Sequence, residues 1–327
     1  MKTSFHLILF LCGFVTLWLQ SCQSDDNESI TIRRFDKELH NVCSMTKEEK
    51  SDFIESYKDV FHIYIDKVYP DTNMTVTDKL DTFANSNAIN FFYPEVEKQF
   101  SDISTIEKEL GQEKRILSDK YGIGFPSVYS AIIPYNQSII SNGSIAIIGL
   151  NHYLGTDYKP YEYFPEYKRR FKIKEKIKYD LTEALLKIHF PFEPDDNTVL
   201  ENMIYEGLIA YLAETIIPDY EDSLYFSFSS KQLSWCIAHE RQIWEQLLID
   251  DILYSTSGFV KSALLKPAPF SEHLTRESPG QTCCWIGKSI VESYLSNNKA
   301  ELKDLLETKA YQDSQTFLID SKYDGRK

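Results

Sequence analysis

Residues 127–150 read SVYSAIIPYNQSIISNGSIAIIGL, a stretch in which apolar residues stop recurring at helical spacing. Val128, Ile132 and Ile133 lead to Ile139 and Ile140, and Ile145, Ile147 and Ile148 follow Asn142-Gly143. An Asn-Gly step between two β-branched runs is a strong short-range hairpin signal, because both residues tolerate the positive φ of a type I′ turn. The stretch predicts a small sheet near the middle of the chain. With helical patterns on both sides, that sheet makes the fold class α+β, mainly α.

Upstream, Thr46 and Glu49 have capping-box spacing ahead of Phe53, Ile54, Tyr57, Val60, Phe61 and Tyr64, which recur at helical period. Ser104 and Glu107 repeat the signal before Leu110, Leu117 and Tyr121. Downstream, the helical period returns at Lys172. It predicts one helix over 173–190 closed by Pro191, and a second opened by Thr198 and Glu201 that runs to Ile217. A third starts at Ser229 or Ser230 and continues past Trp244. A helix over 282–295 and one or two more over 300–317 complete the chain. Neither a fixed-period repeat nor a linker interrupts residues 31–327, which read as a single globular domain. With 43% hydrophobic residues, 20 Phe and 21 Tyr among 327, that domain buries a core.

The first 21 residues read differently. Lys2 precedes an apolar run over 5–19 that is short for a bilayer span, and small residues follow, the pattern of a cleaved signal peptide. Leu19-Gln20-Ser21-Cys22 resembles the bacterial lipobox, which makes Cys22 the expected acylation site and the protein membrane-anchored rather than membrane-spanning. Two or three acyl chains hold stably where one holds marginally. Residues 22–30 then form an acidic tether: QSDDNE over 23–28 is either a solvated linker or a surface-export tag of the kind some gliding bacteria use.

The 35 Lys+Arg against 49 Asp+Glu give a net charge of −14, which excludes nucleic acid as a partner, since phosphate binding needs a basic stripe. Beyond Cys12 and Cys22 remain Cys43, Cys236, Cys283 and Cys284. Adjacent Cys283 and Cys284 bridge one another only with strain, so buried thiols are the simpler expectation, although the compartment permits disulfides.

Few constellations suggest chemistry. His239-Glu240 has Ile243 where a zinc-peptidase helix needs its second histidine, so that pair is structural unless the site is unorthodox. A second pattern treats Glu183 as a general base. The ligand positions flanking it are then Thr182 and Leu186, and Glu206 follows Leu186 by twenty positions, where a third ligand would stand. Threonine is a poor zinc ligand and leucine none, so these four residues outline a vestigial pocket without metal, and no cofactor is expected. Tyr153, Tyr158, Tyr161, Tyr163 and Tyr167 crowd one loop, either packing it onto the body or forming a platform for glycan or peptide. Glu277-Ser278-Pro279-Gly280 fixes a turn before Trp285, and Gly287 lets another backbone approach that helix.

These stretches together resemble the GldB gliding-motility lipoprotein family. The resemblance rests on IGLNHYLG (148–155), YEG (205–207), QLSWCIAHERQIW (232–244), ILYSTS (252–257), PAPFS (267–271), ESPGQTCCWIGKSIVESYL (277–295) and SKY (321–323). The YEG and Trp285 blocks are also similar to predicted zinc peptidases, which implies a zincin-like scaffold. Asn151-His152 stand where an acidic and a bulky residue are expected. The resemblance implies a noncatalytic, lipid-anchored protein of the outer membrane whose partners are envelope motility and type IX secretion proteins. The competing readings are a divergent metallopeptidase using Glu183, Glu206 and His239, and a glycan- or peptide-binding lipoprotein using the tyrosine-rich loop.

Overall fold

A computed structural model describes residues 29–325 apart from 72, 135 and 250. The expected leader, the acylation site Cys22 and the acidic run 23–28 lie outside the described residues. The chain is mainly helical around a four-stranded sheet, β1 (Ile32–Arg34), β2 (Ser127–Ala131), β3 (Ile139–Ser141) and β4 (Ile145–Gly149), in the order β1-β2-β4-β3. β2 pairs in parallel with β1 and β4, while β3 runs antiparallel to β4 along the other edge. Every residue of β4 is buried, as a continuous apolar run predicts for a strand covered on both faces.

The hairpin forms where Asn142-Gly143 places it, but its turn is not type I′. Only Gly143 has a positive φ (89°), at the first of two central positions, which is the type II′ pattern. The Asn142 side chain stays outside the tip and accepts hydrogen bonds from the backbone N–H groups of Ser144 and Ile145, both at 3.1 Å. That bonding removes the need for a left-handed Asn142.

The main helices are α1 (Lys47–Ser56), α2 (Val76–Ala84), α3 (Asn87–Gln99), α4 (Ser104–Tyr121), α5 (Lys176–His189), α6 (Val199–Ile216), α7 (Ser230–Ile249), α8 (Gly258–Leu265), α9 (Thr282–Asn297) and α10 (Ser314–Ser321). Full capping boxes open α1 at Thr46/Glu49 and α6 at Thr198/Glu201. The expected box at Ser104/Glu107 does not form. Glu107 instead accepts from the Ile32 backbone N–H at 2.8 Å, pinning β1 to α4, and Asp102 takes the Ser104 N–H at 2.9 Å.

Two hydrophobic clusters make the interior. One surrounds the sheet and includes Phe35, Tyr64, Ile89, Val96 and Ile147; the other joins α6 to α9 through Met203, Leu208, Cys283, Ile286 and Ile290. α5 serves both: Ile177, Leu181 and Leu185 enter the sheet cluster, and Tyr179 and Leu186 enter the helical one. α6 is buried along most of its length, with Glu206 and Glu214 among the few of its side chains that reach solvent. It meets α9 backbone to backbone: a Cβ added to Gly287 would stand 1.9 Å from the Met203 carbonyl oxygen, and one on Gly207 would stand 2.3 Å from the Gly287 carbonyl carbon. No side chain other than hydrogen fits that crossing. Cys236, Cys283 and Cys284 are buried free thiols, whereas Cys43 is free and exposed.

Candidate functional site

α5 carries three of the four residues of the expected pocket, and helical geometry sends them to different neighbours. Thr182 points into the interior and donates to Glu113 Oε2 of α4 at 2.6 Å, with both residues fully buried. Burial pushes the Glu113 carboxyl up to about 8, the Thr182 hydrogen bond working the other way. Leu186 is fully buried in the helical cluster. Only Glu183 faces Glu206 of α6, and Lys187, one turn after Glu183, stands between them. Its Nζ lies 2.8 Å from Glu183 Oε1 and 2.9 Å from Glu206 Oε2, each side chain being about a third exposed.

The ammonium sets the electrostatics of this cluster. Burial alone would raise the Glu183 carboxyl, but Lys187, with Lys176 behind it, outweighs burial and holds it below its ordinary value. For Lys187 burial favours the neutral form, yet Glu183 and Glu206 together push it above the usual lysine value. Two carboxylates sharing one protonated amine form a closed ion triad. A zinc ion would need a donor atom that Leu186 lacks, a hydroxyl that Thr182 instead turns inward to bond Glu113, and lone pairs that Glu183 and Glu206 give to Lys187. The residues present do not fit the metal. His239 on α7 stacks on Trp235 with centroids 4.6 Å apart and bonds the Trp235 carbonyl at 2.8 Å, while neighbouring Glu240 accepts from the Tyr323 hydroxyl. Among the described residues, no three His, Cys, Asp or Glu are grouped as a metal site.

The tyrosine-rich loop packs largely inward. Tyr153 donates to Asp180 at 2.8 Å, and Tyr161 donates to the Asn151 carbonyl at 2.5 Å while accepting from Leu154 N–H. Tyr163, at 93% exposure, is the ring most available to solvent in this loop.

A second arrangement lies where β4 ends and the chain approaches α5. Asn151 clamps Ile133, its Oδ1 taking the backbone N–H at 2.8 Å and its Nδ2 donating to the carbonyl at 2.9 Å. His152 Nε2 reaches the same carbonyl at 3.1 Å, so that nitrogen is the protonated one and Nδ1 is an acceptor. Lys172 Nζ lies 3.3 Å from that Nδ1 and stands over the rings of Tyr161 and Phe164, 5.1 and 4.5 Å from their centroids. Two cavities meet at these side chains. One of about 130 Å³ is lined by Phe92, Ile133, Pro134 and Phe164, the other of about 350 Å³ by Tyr153, Lys168, Lys176 and Asp180; both touch Asn136, His152 and Lys172. The basic residues of 168–178 in an otherwise acidic chain are the sequence signal for this site, and spacing rules for metal ligands pass over it.

A family model described as gliding motility protein GldB matches residues 20–325. No curated protein and no solved structure matches the chain.

Proposed function

From the premise that the chain belongs to the gliding motility protein GldB family, we propose that it is a noncatalytic lipoprotein of the outer membrane that works as a binding component of the motility and type IX secretion apparatus. The observation that carries the noncatalytic part is the Glu183–Lys187–Glu206 triad. Its ammonium occupies both Glu183 and Glu206, the only two carboxylates among the four expected pocket residues, while Thr182 and Leu186 face other neighbours. Catalysis by a zinc-bound water needs an open coordination position, and a lysine bonded to both carboxylates leaves none.

The lipobox at Cys22 and the family support attachment, and among the described residues no helix is long and apolar enough to cross a membrane. Acylation at Cys22 supplies the anchor instead. Two measurements test the proposal. Cys22→Ala is expected to move the protein from the membrane to the soluble fraction, and continued retention would refute anchoring through that sulfur. Elemental analysis of purified protein is expected to find zinc far below one ion per chain. One zinc per chain, lost on Glu206→Ala, would instead establish the metallopeptidase reading.

A further inference from the structure

Residues 168–178 hold Lys168, Arg169, Arg170, Lys172, Lys174, Lys176 and Lys178 against the single acid Glu175, in a chain whose net charge is −14. Several of these cations have protein partners. Lys176 pairs with Asp180 at 3.3 Å and donates to the Tyr225 carbonyl, Lys178 pairs with Glu109 at 3.2 Å, and Arg170 reaches Glu166 and Gln232. Lys172 is different. It is 9% exposed, and its partners are the His152 Nδ1 and the two aromatic faces, with no carboxylate in ion-pair contact among the described residues. Burial lowers its amine to about 8. Asp180, across the same cavity, works the other way on that amine but is itself ion-paired with Lys176, so an ammonium stabilised in part by ring faces can still take a counter-charge of its own.

The cavities on either side of Lys172 define what would bring that charge. The larger, about 350 Å³, is within the size range of small-molecule sites and places Lys168 and Lys176 beside Lys172. The smaller is walled by Phe92, Ile133, Pro134 and Phe164. Its volume, about 130 Å³, approaches the roughly 150 Å³ of an apolar cavity that takes one benzene ring. A ring or a branched aliphatic group of that size fits. His152, its Nε2–H committed to Ile133, accepts one N–H of Lys172, and both residues line both cavities.

We propose that the paired cavities bind the carboxylate end of an amphipathic ligand, with the carboxylate on Lys172 and Lys168 and a single ring or branched group in the chamber between Phe92 and Phe164. A free aromatic acid and the C-terminal residue of a peptide share this chemistry. This site is separate from the ion triad and would stand if the triad were reinterpreted.

Calorimetry on the detergent-solubilised full chain tests it with 3-phenylpropanoate, 3-phenylpropanamide, and a short peptide ending in phenylalanine with either a free or an amidated C-terminus. The free acids are expected to bind about tenfold or more tightly than the amides, as a charge-assisted hydrogen bond requires. Lys172→Met is expected to abolish that preference while the far-ultraviolet spectrum is kept. Saturation by the small acid alone would assign a small-molecule ligand, and saturation by both acids would admit a chain end. Equal binding of acids and amides, no saturation by either acid, or an unchanged preference in folded Lys172→Met would overturn the proposal. The acid-versus-amide comparison uses the wild-type chain and so stands even if the variant does not fold.

Discussion

Lys187 shows how one residue redirects a site. Glu183 and Glu206 stand at the spacing of a base and a ligand, yet the amine one turn beyond Glu183 joins them into an ion triad. The positions were legible in the sequence but the amine's role was not, because attention to metal ligands passes over a lysine. Glu113 was equally hidden: a carboxylate in the middle of α4 reads as a solvent-facing residue until Thr182 is seen bonded to it in the interior. Its folded value of about 8 lies above the ordinary 4.5, so the folded state holds the proton more tightly than the unfolded state. Stability from this group is therefore full below pH 4.5 and declines as pH rises through 8. Glu113→Gln should flatten that decline, with a gain of up to about 5 kcal/mol above pH 8 and little change near pH 5. Urea unfolding of both proteins across pH 5–9 checks this; parallel curves would exclude Glu113 as the titrating group.

At the scale of elements, the α6–α9 crossing sets backbone against backbone. Gly287→Ala should destabilise by about 3 kcal/mol or more, because the added methyl meets the Met203 carbonyl and neither backbone can withdraw without unpacking its cluster. Gly143→Ala should cost less, about 1–2 kcal/mol, through its positive φ and a 3.3 Å approach of the new methyl to the Ile188 side chain, which can give way. Thermal unfolding of the two variants gives the ranking, and a milder effect at Gly287 would contradict the crossing geometry. Elements with strong local signals were readable: the Asn142-Gly143 hairpin, the boxes at Thr46 and Thr198, and the Gly287 approach. β1 was not, since Ile32-Arg33-Arg34 has three residues and two charges and becomes a strand only by pairing with β2. α3 was hidden by Pro94 in its interior, which reads as a break yet is tolerated here.

For the whole molecule, the switch from helical to strand periodicity at 127–150 gave a mainly helical α+β body, and the family resemblance read from motifs between 148 and 323 agrees with a family match over residues 20–325. The cavities at Lys172 were out of reach, because they arise from β4, the loop after it and the approach to α5, segments that meet only in space. α5 has a further consequence for the body as a unit. One helix seals two interiors, so neither interior can stay dry once the other lets go. Heating should melt both in one concerted step: tryptophan emission from Trp244 and Trp285 in the helical cluster, and a dye on exposed Cys43 beside the sheet, should report the same midpoint. Two separated midpoints would mean that the halves breathe independently. A single one would mean that a ligand held at the foot of α5 braces the far side of the protein as firmly as the near one.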